Sequence, residues 1–137
     1  MYKKTAKELK VTCEQWVNFS SFLARCKGSG LATQYEYSCV HAGDDIEDGL
    51  EKDIPHGLVR DCKIMVAAQY ILLAGTVFSE ELFGQGARSS AKEWGLKKWP
   101  IWSRRLKEIA LEYEERGNTE LAAMTRKAHE KMVSLSS

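Results

Sequence analysis

Residues 64–78 read IMVAAQYILLAGTVF and form the most apolar stretch of the 137-residue chain. Only Gln69, Gly75 and Thr76 interrupt it. A helix that crosses a bilayer needs roughly 20 apolar residues, and this stretch has 15. We therefore interpret it as a buried helix and expect no membrane span.

Two residues upstream mark the start of this helix. Asp53 is of a type that caps helix N-termini, and Pro55 suits a first helical turn. The sequence predicts a central helix from about Pro55 to Leu82. Because this helix is apolar nearly all round, it needs cover on every side, which favours a helical bundle.

The N-terminal segments show the three- and four-residue spacing of amphipathic helices. The first predicted helix ends near Gly28, and its apolar stripe consists of Trp16, Phe19, Leu23 and Cys26, widened by Phe22. A second helical pattern runs from Leu31 to Leu50. Glycine weakens a helix interior, so a kink or an early end is expected near Gly43.

The C-terminal segments predict three more helices. Ser90 and Glu93 have the spacing of a capping box, and Gly95 is expected to stop a short helix. Pro100 then opens a helix whose buried face comprises Trp102, Leu106, Ile109 and Tyr113. Gly117 separates it from the last helix, so the last two helices are expected to form an antiparallel hairpin.

Composition indicates one soluble domain. Domains commonly have about 100 to 150 residues, so residues 1–137 are expected to form a single all-α bundle of about five helices. Hydrophobic residues make up 44% and charged residues 28% of the chain, which excludes a disordered class. The net charge of +1 provides no overall field that would attract nucleic acid or anionic membrane.

The cysteines and the N-terminus indicate a cytoplasmic protein. The four cysteines lie far apart without a C-x-x-C pair, so we expect reduced thiols in the core. Residues 1–10 contain four lysines that no apolar run follows, which differs from a secretory signal.

Residues 56–75, HGLVRDCKIMVAAQYILLAG, and the later residues Trp99, Trp102, Leu106 and Met132 resemble a filamentous-fungal family of helical proteins that is defined only as a domain of unknown function. The resemblance is strongest from about His56 to Leu135 and weaker from Trp16 to Leu50. It implies a fungal, intracellular, all-α protein, but no activity, cofactor or catalytic residue. Family members usually carry more upstream sequence, so we expect a shortened form in which a second copy supplies a missing helix.

An acidic run at residues 44–48, DDIED, matches the D-D-x-x-D pattern by which class I terpene cyclases hold magnesium and a diphosphate. Carboxylates at such spacing on a helix can offer oxygen ligands to Mg²⁺, which makes Asp44, Asp45 and Asp48 candidate metal ligands. Such runs are also common on solvated helix faces. That interpretation is favoured, and we expect no cofactor.

Two groups of residues are candidates for acid/base chemistry. In an unbroken helix, His41 and Asp45 lie four residues apart on one stripe, where a carboxylate raises a histidine pKa. Asp61 begins the central helix beside Arg60, which is able to pair with the acidic run. We take His41, Asp45 and Asp61 as the candidate catalytic residues, with a structural role as the favoured alternative.

Two further patterns are weaker. Residues 84–90, GQGARSS, resemble a phosphate-binding loop but lack a preceding strand, so a connection between helices is expected. Between residues 92 and 107, three tryptophans alternate with basic residues, a composition typical of surfaces that stack bases. Because Trp99 and Trp102 fit the core, we expect no nucleic-acid partner.

Two functions are favoured over a third alternative, a basic nucleic-acid binder that carries tryptophans. The favoured one is a helical interaction module that forms a homodimer or another homo-oligomer and has an apolar small-molecule pocket walled by Tyr35, Tyr70 and Trp102. The alternative is a small enzyme of fungal secondary metabolism, an isomerase or cyclase without a cofactor, that uses the acid/base residues above.

Overall fold

The computed structural model describes residues 6–28 and 37–136. Within these ranges the chain forms five helices and no strand. They are α1 (Ala6–Gly28), α2 (Tyr37–Leu50), α3 (Leu58–Phe83), α4 (Ser89–Glu115) and α5 (Thr119–Leu135). The predicted all-α bundle is therefore confirmed.

Helix α3 is the centre of the bundle, and the other four helices all pack against it. Its buried residues occur along its whole length, from Arg60 to Leu82. Among the described helices it alone is long and apolar enough to cross a membrane, but its most apolar part is mostly buried inside the protein. The core helix of a soluble protein passes the same test of length and composition, and the other helices of the chain cover most of α3.

The central helix begins three residues later than predicted. Gly57, with φ of 153°, precedes Leu58, and no side chain caps the helix start. Asp53 and Pro55 lie in the connection between α2 and α3. The predicted cap at Asp53 is thus wrong, because a glycine with positive φ redirects the chain immediately before the helix.

Helix α4 joins the two helices that were predicted on either side of Pro100. Gly95 is buried within it, where a Cβ atom would lie 3.0 Å from Cζ of Phe83. Buried Trp99 and Trp102 continue one apolar face across Pro100. Packing of this face on α3 and α5 therefore holds the helix together through a residue that usually ends one.

Helices α4 and α5 form the predicted antiparallel hairpin. Gly117 has φ of 79°, and the next backbone N–H, that of Asn118, donates to Tyr113 O at 2.9 Å. The Asn118 side chain then caps α5 by accepting from Leu121 N at 3.3 Å. At the other end of the pair, the Trp99 indole N–H donates to Met132 O.

Helix α2 runs unbroken through Gly43, so the expected kink there is wrong. A Cβ atom at Gly43 would lie 2.8 Å from Cη2 of Trp94, and one at Gly49 would lie 2.5 Å from Lys63 O. Both glycines are points of close approach to neighbouring helices, and packing gain offsets their low helix propensity.

Candidate functional site

Helix α1 packs on α3 with a face that only partly overlaps the predicted one: of the predicted stripe, Trp16 packs against the core and Cys26 is partly buried. Ser20, Ser21 and Ala24 are buried, and we call these residues the inner face of α1. Phe19 and Phe22, which were predicted to belong to the core, are each 60% exposed. The prediction is therefore wrong for these two phenylalanines, whereas Trp16 and Val17 pack against the core on the same side as the small buried residues.

Four exposed apolar residues form the outer face of α1: Val11, Phe19, Phe22 and Leu23. Ten large hydrophobic side chains are exposed within the described ranges, and four of these lie on this one helix. Both of the aromatic ones, Phe19 and Phe22, are among the four. Phe19, Phe22 and Leu23 have the i, i+3, i+4 spacing of neighbours on a helix surface, and grouped exposed apolar side chains are typical of an interaction site.

Charged residues of opposite sign flank the outer face. Exposed Glu8 lies one turn before Val11 at its N-terminal end, and exposed Arg25 lies one turn after Phe22 at its C-terminal end. Exposed Lys7 and Lys10 also lie at the N-terminal end, so that end carries charges of both signs, the C-terminal end carries Arg25, and the centre is apolar.

The acidic run of α2 is divided among different surroundings. Asp44 is exposed, Asp48 pairs with Lys52 at 2.5 Å, and Asp45 interacts with the Tyr70 hydroxyl. Burial, together with this carboxylate, raises the pKa of Tyr70 to about 12. No group of three or more His, Cys, Asp and Glu side chains in the described part of the chain is arranged to hold a metal ion.

Asp61 is paired with α4. The Tyr113 hydroxyl donates a 2.5 Å hydrogen bond to Asp61 Oδ1. Burial and this bond raise the pKa of Tyr113 well above its ordinary value. Asp61 therefore holds the start of α3 to the end of α4.

Arg60 forms a second connection between the same helices. It is 5% exposed, and its guanidinium donates to Glu112 Oε2 at 3.0 Å and contacts His56 Nδ1 at 3.1 Å. His56 Nε2 lies 3.3 Å from Glu112 Oε1. An imidazole protonated on Nε2 satisfies both contacts, so the three side chains form a closed ring that compensates a buried cation. Arg60 was predicted to pair with the acidic run but pairs with Glu112 instead. The sequence does not indicate this partner, because it lies 52 residues away along the chain.

The two described candidate catalytic residues, Asp45 and Asp61, lie at different levels along the axis of α3. Asp45 contacts Tyr70, whereas Asp61 contacts Tyr113, and Tyr70 and Asp61 are nine residues apart on α3. At 1.5 Å per residue this separates them by about 13.5 Å along the helix axis. His41 belongs to α2, and its side chain lies outside the described part.

Two of the three predicted pocket residues lie in the core. Tyr35 lies outside the described residues. Tyr70 is 4% exposed and Trp102 is fully buried, and both belong to the core cluster. Trp102 packs against the rings of Phe78 and Trp94.

The tryptophans of α4 point inward. Trp99 is buried, and Trp94 is partly buried against the core. Lys98, one of the interleaved basic residues, is paired with Glu47 at 3.1 Å and Glu51 at 2.8 Å. The prediction that Trp99 and Trp102 belong to the core is therefore confirmed.

One family model, described as a protein of unknown function (DUF3632), matches residues 2–106. The chain belongs to the DUF3632 family. The match includes α1, α2 and α3 and ends within α4, so the DUF3632 region contains the outer face of α1 in full. Searches of curated proteins and of solved structures gave no significant match.

Proposed function

We propose that this chain is an intracellular interaction module of filamentous fungi that forms a homodimer through the outer face of α1. The observation that carries the proposal is the 60% exposure of both Phe19 and Phe22. Burial of an aromatic side chain contributes about 1.5 to 3 kcal/mol. An interface that covers both phenylalanines on each protomer therefore has a substantial driving force.

A second copy is the occupant that we infer, because two outer faces packed together cover the phenylalanines of both protomers. In a two-fold arrangement with antiparallel α1 helices, Glu8 of each protomer, with Lys7 and Lys10 beside it, approaches the Arg25 end of the other. Such an interface is self-complementary, as isologous contacts require. The net charge of +1 imposes little repulsion between two copies.

Association is favoured over the enzymatic alternative because the acidic candidates already join helices. Asp61 accepts from Tyr113 between α3 and α4, and Asp45 interacts with Tyr70 between α2 and α3. These pairings account for both carboxylates as parts of the scaffold. The free thiols of Cys13 and Cys62 fit the reducing interior of a cell.

Sedimentation velocity at increasing protein concentration tests the proposal. The unmodified chain is expected to sediment as a dimer at high micromolar concentration. The double variant Phe19→Gln/Phe22→Gln is expected to sediment as a monomer with an unchanged helical circular dichroism spectrum, since these side chains are exposed.

The matched control is Leu96→Gln/Val133→Gln, which changes two exposed apolar residues on α4 and α5. This control is expected to remain dimeric. A monomeric unmodified chain, or a dimer that survives both phenylalanine substitutions, would show that the outer face is not the interface.

A further inference from the structure

Two cysteines meet between α1 and α3. The Cys62 thiol donates to the backbone carbonyl oxygen of Cys13 across 3.5 Å. The Cys13 side chain is also a hydrogen-bonding neighbour of Cys62. Both residues are present as free thiols.

The two thiols differ in their access to solvent. Cys62 is 3% exposed, whereas Cys13 is only partly buried. Burial and the neighbouring Cys13 raise the pKa of Cys62 to about 12, so Cys62 remains protonated at neutral pH. A reagent from solution therefore reaches Cys13 first. Cys62 is shielded from solvent and reacts only with the oxidised Cys13 beside it.

We propose that Cys13 and Cys62 are a modification site at which a peroxide forms an intramolecular disulfide. The Cys13 thiolate attacks a peroxide oxygen, the O–O bond breaks, and Cys13 becomes a sulfenic acid. The departing hydroxide takes up the proton that Cys13 released and leaves as the first water. The Cys62 sulfur then attacks the Cys13 sulfur, the S–OH bond breaks, and the hydroxyl leaves as water with the Cys62 proton. Two thiols and one hydrogen peroxide give one disulfide and two water molecules.

This disulfide would join α1 covalently to α3 across 49 residues of sequence. It lies on the side of α1 that faces α3, so it leaves the outer face with Phe19 and Phe22 unchanged. The proposal thus stands independently of self-association.

Cys26 provides an internal control, since it lies on the same helix as Cys13. Thirteen residues separate the two, which is about 19.5 Å along α1 at 1.5 Å per residue. Within one chain, Cys26 therefore cannot bridge to Cys13 while α1 stays helical. The variant Cys26→Ser should leave the reaction unchanged.

The test is treatment of the folded, dilute protein with equimolar hydrogen peroxide, followed by N-ethylmaleimide in denaturant and intact mass measurement. We expect a loss of two hydrogens and alkylation at only two of the four cysteines. Trypsin should release residues 11–25 linked to residues 61–63, because Lys10, Arg25, Arg60 and Lys63 bound these peptides. This linked peptide should disappear on reduction.

The proposal is overturned if all four cysteines remain alkylatable, if Cys13 accumulates as sulfinic acid without a linked peptide, or if the link joins two chains. Cys62→Ser serves as the matched variant. It should retain the Cys13 sulfenic acid, which dimedone traps, and should give no linked peptide.

Discussion

The indole N–H of Trp102 donates to the carboxylate of Glu51 at 2.9 Å, although Trp102 is fully buried and Glu51 lies just beyond the end of α2. The same carboxylate accepts from Lys98 at 2.8 Å. Glu51 therefore links the core of α4 to the end of α2, and it is the acceptor for a buried donor. Loss of that acceptor leaves the indole N–H without compensation for its lost hydration.

Glu51→Ala is expected to lower the free energy of unfolding by about 1 to 3 kcal/mol, the cost of a buried unsatisfied donor. Glu51→Gln keeps an oxygen acceptor and should lose less. The control is Glu47→Ala, which removes a contact to Lys98 but none to Trp102 and should cost less than about 1 kcal/mol. Urea unfolding followed by tryptophan fluorescence ranks the three variants, and an equal cost for Glu47→Ala and Glu51→Ala would refute the role of the indole bond.

Two glycines within helices should respond to alanine in opposite directions. At Gly49 a Cβ atom would lie 2.5 Å from Lys63 O and 2.9 Å from the Ala67 Cβ, so α2 and α3 must separate. We expect Gly49→Ala to lower stability by about 1 to 3 kcal/mol. At Gly75 the nearest atoms would be at 3.5 Å, which is ordinary contact.

Gly75→Ala should therefore raise stability by about 0.5 to 1 kcal/mol, the usual gain from alanine inside a helix. Thermal unfolding of both variants, monitored by circular dichroism at 222 nm, gives the comparison. If Gly49→Ala were as stable as the unmodified chain, the close approach of α2 to α3 would be incorrect.

The sequence predicted the helices well where one apolar face lies opposite a charged one, as in α5 and in the part of α4 after Pro100. Trp102, Leu106 and Ile109 recur at helical spacing, and all three are fully buried. The orientation of α1 was missed because hydrophobicity alone selects Phe19 over Ser20 as the buried residue. The signals on the buried side are the small residues Ser20 and Ala24, four apart, and the apolar residues Trp16 and Val17, which pack against the core.

The polar cluster at the start of α3 could be predicted only in part. The sequence marks Asp61 as a candidate catalytic residue and Arg60 as an ion-pair partner. Their actual partners, Tyr113 and Glu112, lie 52 residues away along the chain. Spacing rules apply within a helix and do not identify which residue of another helix faces a given position. Only the packing of α4 antiparallel to α3 brings these side chains together.

The raised pKa values of two buried tyrosines predict a loss of stability in alkaline solution. The folded state raises the pKa of Tyr70 from 10.0 to about 12 and that of Tyr113 in the same direction. Above pH 10 the unfolded chain releases these protons while the folded chain retains them, so the folded state binds more protons and stability falls as pH rises. The decline is at most about 1.4 kcal/mol per pH unit for each tyrosine.

Urea unfolding at intervals from pH 9 to pH 12 measures this slope. Tyr70→Phe and Tyr113→Phe should each flatten it, and the double variant should flatten it most, because phenylalanine has no proton to release. Lysines titrate in the same range in every variant, so the difference between variants isolates the tyrosines. Slopes that coincide for all four proteins would contradict the assignment.

The Cys13–Cys62 disulfide predicts a stability gain that depends on redox state. A cross-link between residues 49 apart lowers the entropy of the unfolded chain. In an unstrained native structure this raises the free energy of unfolding by on the order of 4 kcal/mol. The peroxide-treated protein should therefore unfold at higher urea concentration than the reduced protein, and dithiothreitol should reverse the change. Cys62→Ser, treated identically, should show no such gain. A treated protein that unfolds at the same or lower urea concentration, despite a verified linked peptide, would mean that the bond distorts the contact between α1 and α3.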